Sequence, residues 1–147
     1  MNNQYYTPTI EEFYVGFEYE YEDTPNIWIK TKVKSALTDY DQYSIQQQSI
    51  SNKTTRIKYL DKEDIESLGF AFKGKAMRSF FEKDCHFYLP DTYSFWCSCL
   101  KIQLDEEFRT VKIECYVPSI GEDETLFLGK CKNKSELKKI LNQIGYE

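Results

Sequence analysis

Cys85 and His86 stand side by side, and Cys97 and Cys99 follow them in the second half of the chain. These residue types are the raw material of a zinc site, but their spacing is wrong for one. Cys97-x-Cys99 on a strand presents both sulfurs along one face, whereas zinc knuckles use about two to four intervening residues in a turn that folds both thiolates onto one ion. A thiol nucleophile would need a base beside it, and Cys85 or Cys99 with His86 supplies the types. Cys85 and His86 are sequence neighbours, however, and on a strand they point to opposite faces. The carboxylates Glu18 and Glu20, or Asp105 with Glu106 and Glu107, could serve as acid and base only if one were held in an apolar cleft. They sit on an alternating face or in a turn and read as solvated. The sequence contains no G-x-x-x-x-G-K-[ST], G-x-G-x-x-G or G-x-S-x-G. Neither a metal, a cofactor nor a catalytic residue is expected, and the cysteines read as small strand hydrophobes. Their number, five, is odd, and no basic stretch followed by an apolar run opens the chain. Reduced thiols in a cytosol are therefore expected, without disulfides.

Binding is the better supported chemistry. Aromatic residues make up 16% of the chain, with 12 tyrosines and 10 phenylalanines. Trp28 alternates with Lys30 and Lys32 and so shares a face with them, and an indole beside cations suits a base with its phosphate or a protein hot spot. Arg56 and Lys58 on the later short strand "RIKYL" are expected to support it electrostatically, and Tyr14 faces outward on the preceding strand. Tyr5, Tyr6, Tyr40, Tyr43, Tyr88, Tyr93 and Tyr116 also fall on outward faces or in loops. Rings placed this way either cover a second layer or form an interface. The net charge of −5 argues against duplex nucleic acid, which requires a basic face. No apolar run approaches the length of about 18 residues that a membrane span needs.

The elements that position these residues follow from periodicity. Phe13, Val15, Phe17, Tyr19 and Tyr21 alternate with Tyr14, Gly16, Glu18 and Glu20, the pattern of a half-buried strand. Turn-rich "EDTPN" follows, and Ile27 to Val33 alternates again, so a hairpin is expected with Tyr21 opposite Ile27 and Glu18 opposite Lys30. The polar, Gln-rich segment 34–55 lacks periodicity and fits a functional excursion, a mobile segment or a short helix. "RIKYL" is a short strand. Asp61 caps a helix over 62–68 with Gly69 at its end. A strand is expected near Phe80 to Leu89, a hairpin over Ser94 to Leu104 and Thr110 to Val117 through "DEEFR", and a strand over Thr125 to Cys131. The last helix, 134–144, is capped by Asn133 or Ser135 and carries Leu137, Ile140, Leu141 and Ile144 as its apolar stripe. The sum is one α+β domain over residues 1–147, mainly an antiparallel sheet with two helices on one face.

Three segments, "TIEEFYVGFEYE", "RIKYLDKEDIESLGF" and "CKNKSELKKILNQIG", resemble small uncharacterised accessory proteins encoded by phages of Bacteroidetes-type bacteria. The resemblance implies a setting, the cytoplasm of a bacterial host, and carries over no catalytic residue. Within that setting the expected function is non-enzymatic: inhibition of a host antiviral defence, by occupying a host protein or by sequestering a small nucleotide signal between protomers of an oligomer. A minor virion or assembly component is the alternative, and a small Cys/His-dependent enzyme ranks below it.

Overall fold

Val111, Ile113, Cys115 and Val117 show where the second half of the chain puts its apolar residues: all four are fully buried, while Tyr116 between them is exposed. The computed structural model describes residues 4–34, 40–75, 78–88 and 96–146, with the side chains of 40, 41, 86–88 and 96 outside that description. Tyr93 and the side chains of Tyr40, Tyr88 and His86, which the sequence singles out, lie outside the described residues.

The alternation in Thr110–Val117 (β8) recurs in Trp96–Asp105 (β7), and the two pair antiparallel with Ile102 opposite Ile113. Ser79–Tyr88 (β6), Ala71–Lys75 (β5) and Glu122–Lys130 (β9) complete a five-stranded meander in which every ladder joins neighbours in sequence. Its loop from Asp105 to Arg109 is held by Asp105, whose Oδ1 accepts from the amides of Glu107 and Phe108. An Asp side chain bonding the backbone two residues on is the mechanism by which Asp favours such turns.

The inner face of this sheet is covered by two helices, Lys62–Glu66 (α2) and Lys134–Gln143 (α3): Ile65, Leu137 and Leu141 share one buried cluster with Phe81, Leu100, Ile102, Leu104 and Ile113. The capping residues behave as their types require. Asp61 accepts from the amide of Asp64, and Asn133 rather than Ser135 caps α3, accepting from Glu136 at 2.9 Å. Caps of this kind contribute about 1 kcal/mol each. Gly69 and Gly145 take positive φ at the two helix ends, as C′ residues do. The Leu68 carbonyl at the end of α2 also accepts from Lys83 Nζ at 3.1 Å.

The first part of the chain builds its own four-stranded sheet, the first sheet in chain order. Tyr5–Tyr6 (β1), Glu18–Thr24 (β2), Ile27–Lys32 (β3) and Thr55–Lys58 (β4) lie in the order β1-β4-β2-β3, and Tyr40–Ser51 forms α1. The architecture is α+β, and the chain divides into two compact units, residues 1–59 and 60–147. Buried apolar residues gather accordingly into two clusters. The smaller is Phe13, Phe17, Val33 and Ile57, with Tyr6, Tyr14, Tyr19 and Ile50 packed against it.

Two expectations are corrected here. The strand does not begin at Phe13. Ile10–Glu12 is a 3₁₀ turn closed by Thr9 and Glu12, and the chain then bends at Gly16, whose φ is +90°. The Phe17 amide donates to the Tyr14 carbonyl, and Gly16 and Phe17 exchange backbone bonds with Val33. This turn sends Phe13 and Phe17 into the core and leaves Val15 55% exposed, against its strand parity. The hairpin register also differs: Tyr21 pairs with Ile29 rather than Ile27, and Glu18 with Lys32 rather than Lys30. The cause is an irregularity between Glu22 and Thr24, followed by Asn26 in the left-handed region at φ +68°.

Of the three readings open for 34–55, the helical one matches residues 40–51. α1 ends where Lys53 takes φ +57° and the amide of Thr54 reaches back to the Ser49 carbonyl at 3.0 Å. This is a Schellman closure. The strand near Phe80 and the hairpin through "DEEFR" are present, and β5 and the longer β9 are additional to what periodicity showed.

Candidate binding face of the first sheet

Partners across an antiparallel ladder project to the same side, and alternate residues along a strand do so too. The pairs Glu18↔Lys32, Glu20↔Lys30, Glu22↔Trp28, Glu20↔Arg56 and Tyr5↔Lys58 therefore place all of these side chains on one face. The opposite face carries Tyr6, Tyr19 and Ile57 into the smaller core. Trp28, Lys30, Lys32, Arg56 and Lys58, which the sequence groups by charge and alternation, are thus brought together.

Tyr14 is not among them. It lies in the bend before β2, half-buried, with its ring 5.4 Å from that of Phe17. The reading of Tyr14 as an outward strand residue is corrected for the same reason as that of Val15: the alternation runs through a turn.

The centre of the face is a stack. The Arg56 guanidinium carbon lies 3.9 Å from the Tyr5 ring centre and 4.0 Å from that of Trp28. Guanidinium–ring contacts of this kind are worth about 0.5–1 kcal/mol when exposed and about 2 when desolvated. Arg56, with 28% of its side chain exposed, lies between those limits. Its Nε also donates to Glu20 Oε2 at 2.9 Å. Glu20 is 7% exposed, so this glutamate is no solvated acid but a buried anchor that fixes the guanidinium plane. Sequence reading missed both the burial of Glu20 and its link to Arg56, because the two residues are 36 positions apart. Tyr5 was visible only as one outward tyrosine among several.

Around the stack, Lys30 and Lys32 are exposed and Lys58 half-buried, with Glu18 and Glu22 interleaved. Four cations therefore face three carboxylates, and the surface is close to neutral. Such a face offers aromatic and guanidinium planes to a partner without a strong field of either sign.

The thiols have the wrong electrostatics for covalent catalysis. Burial pushes Cys85, Cys99 and Cys115 above the ordinary thiol range, Cys131 up to about 12, and Cys97 further still. An activated nucleophile is shifted the other way. Cys97 and Cys99 do not share a face as their spacing suggests. Cys97 is buried in the larger core, whereas Cys99 is half-buried outside it, pairs with Asp84 and Tyr116 and feels Glu82 and Lys101. Among the described residues, no group of three or more His, Cys, Asp or Glu side chains is arranged to hold a metal ion. No helix of the described residues is long and apolar enough to cross a membrane.

The geometry defines an α+β protein with an aromatic-centred sheet face. No family model matches the chain, no curated protein matches it, and no solved structure matches its fold.

Proposed function

We propose that the protein acts by binding another protein, and that the outer face of the first sheet, centred on Tyr5, Arg56 and Trp28, is the surface it uses. The observation that carries this reading is the stack itself. Trp, Tyr and Arg are the residue types that dominate interface energies, and here the guanidinium is clamped between two rings and held from behind by Glu20. Groups already immobilised lose little further freedom on association, so more of the contact energy appears as affinity. The balance of cations and carboxylates supports a protein partner over a nucleotide. A nucleotide could stack on Trp28 and place its phosphate near Lys30, Lys32 or Lys58, but Glu18, Glu20 and Glu22 lower the field there. The setting suggested by the three phage-like segments makes the partner a host protein in the bacterial cytoplasm and the effect inhibition of a host antiviral defence. Packaging as a minor virion component is the second reading.

Native capture of the complex from infected cells with the wild-type chain, Trp28→Ala and Arg56→Ala, with thermal unfolding of each, tests this proposal. Trp28→Ala is expected to weaken binding of the captured host protein by about 2 kcal/mol or more, while its unfolding free energy falls only by the about 0.5 to 2 kcal/mol of the lost ring contact and the protein stays folded. A partner held equally by all three proteins would move the working surface elsewhere. Free nucleotide released from the intact complex would favour sequestration, and recovery with particles would favour the virion reading.

A further inference from the structure

Three cysteines of the second unit come from three neighbouring strands to one place. Cys85 on β6 is half-buried, Cys97 on β7 is fully buried, and their sulfurs are 3.4 Å apart. Cys115 on β8 belongs to the same buried cluster. Cys85 lies where the β6–β7 ladder shifts register between Asp84 and Phe87. Cys99 lies outside the larger core cluster that holds the other four, and the Cys131 thiol meets the Asn133 carbonyl.

We infer that Cys85 and Cys97 form a dithiol site that reacts with low-molecular-weight disulfides and closes to an intrachain disulfide. Cys85, the accessible member, attacks one sulfur of a disulfide such as oxidised glutathione; its S–H proton is lost and one glutathione thiolate leaves. The Cys97 sulfur then attacks the Cys85 sulfur of this mixed disulfide, loses its own proton and expels the second glutathione. The protein gives up two protons and two electrons, and one oxidised glutathione becomes two reduced ones. Burial leaves both thiols protonated at neutral pH, which slows the first step. The second is intramolecular between atoms already in contact, and such proximity corresponds to effective concentrations far above any free thiol. The mixed disulfide is therefore short-lived and the closed form is the product. The reaction is independent of the binding face proposed above.

The test equilibrates the full chain with oxidised and reduced glutathione over a range of ratios. The exchange is quenched with acid, the protein is unfolded, its free thiols are alkylated in denaturant, and it is digested and mapped by mass spectrometry. The expected result is the concerted loss of two of the five thiols, recovered as one cross-linked pair joining Cys85 to Cys97, with Cys99, Cys115 and Cys131 alkylated. In Cys97→Ser, glutathione should accumulate on Cys85 with one equivalent bound. Five alkylatable thiols at an oxidising ratio, a glutathione adduct that persists on Cys85 in the unsubstituted protein, or a cross-link to Cys115 in place of Cys97 would each overturn the proposal. The unsubstituted chain supplies these decisive readings, so they stand even if the serine variant does not fold.

Discussion

Ile113→Ala is expected to lower the unfolding free energy by about 2 to 5 kcal/mol. Ile113 is fully buried on β8, an interior strand of the five-stranded sheet, opposite Ile102 on one side and Phe127 on the other. Removing its outer carbons loses their transfer energy and leaves a cavity, because strands on both sides hold the backbone and prevent collapse. Denaturant unfolding reads the effect as a lower midpoint at unchanged slope. A loss under about half a kcal/mol is what solvent-facing positions show, and it would place this row on the outer face.

Phe17→Ala should cost about 3 to 5 kcal/mol, while Val15→Ala should stay within about half a kcal/mol. The two residues share strand parity, so a continuous strand would make them alike. The structure separates them. Phe17 is fully buried, with its ring 5.4 Å from those of both Phe13 and Tyr14, and its carbonyl accepts from Val33. Val15 lies at the tip of the bend. Equal losses at the two positions in chemical unfolding would restore the strand reading and remove the turn at Gly16.

That pair shows where sequence patterns inform and where they mislead. The face shared by Trp28, Lys30 and Lys32 was legible because side-chain parity survives an even register error: the hairpin slipped by two residues, and every side chain kept its side. The stripe of α3, the caps at Asp61 and Asn133 and the closing glycines were legible because each depends on neighbours within a turn or two. Phe13 to Phe17 alternated without being a strand, because local backbone bonds around Gly16 overrode a pattern that only burial would have enforced. For 34–55 the helical reading stood beside two others because α1 carries no apolar stripe: Ile50 packs against the smaller core, whereas Tyr43 and Ile45 are exposed. The clamp of Glu20 on Arg56 was out of reach because it depends on β2 pairing with β4, a contact across α1 that no local pattern encodes.

That same pairing sets an order of events along the chain. The meander from β5 to β9 grows by adding each strand to the one just made, closing short loops throughout. The first sheet cannot: β4 inserts between β1 and β2, so Tyr5, Trp28 and Arg56 meet only after long loops have closed. Contacts distant in sequence form slowly, since chain entropy is lost before they give anything back. In a Trp96→Phe protein, where Trp28 is the only indole, its fluorescence should change after the amides of β7 and β8 gain protection; simultaneous change would remove the lag. For a chain emerging from a ribosome, the Tyr5–Arg56–Trp28 stack cannot exist until Arg56 has cleared the exit. The surface is therefore a product of completed synthesis of its unit and is not displayed by the first hairpin alone.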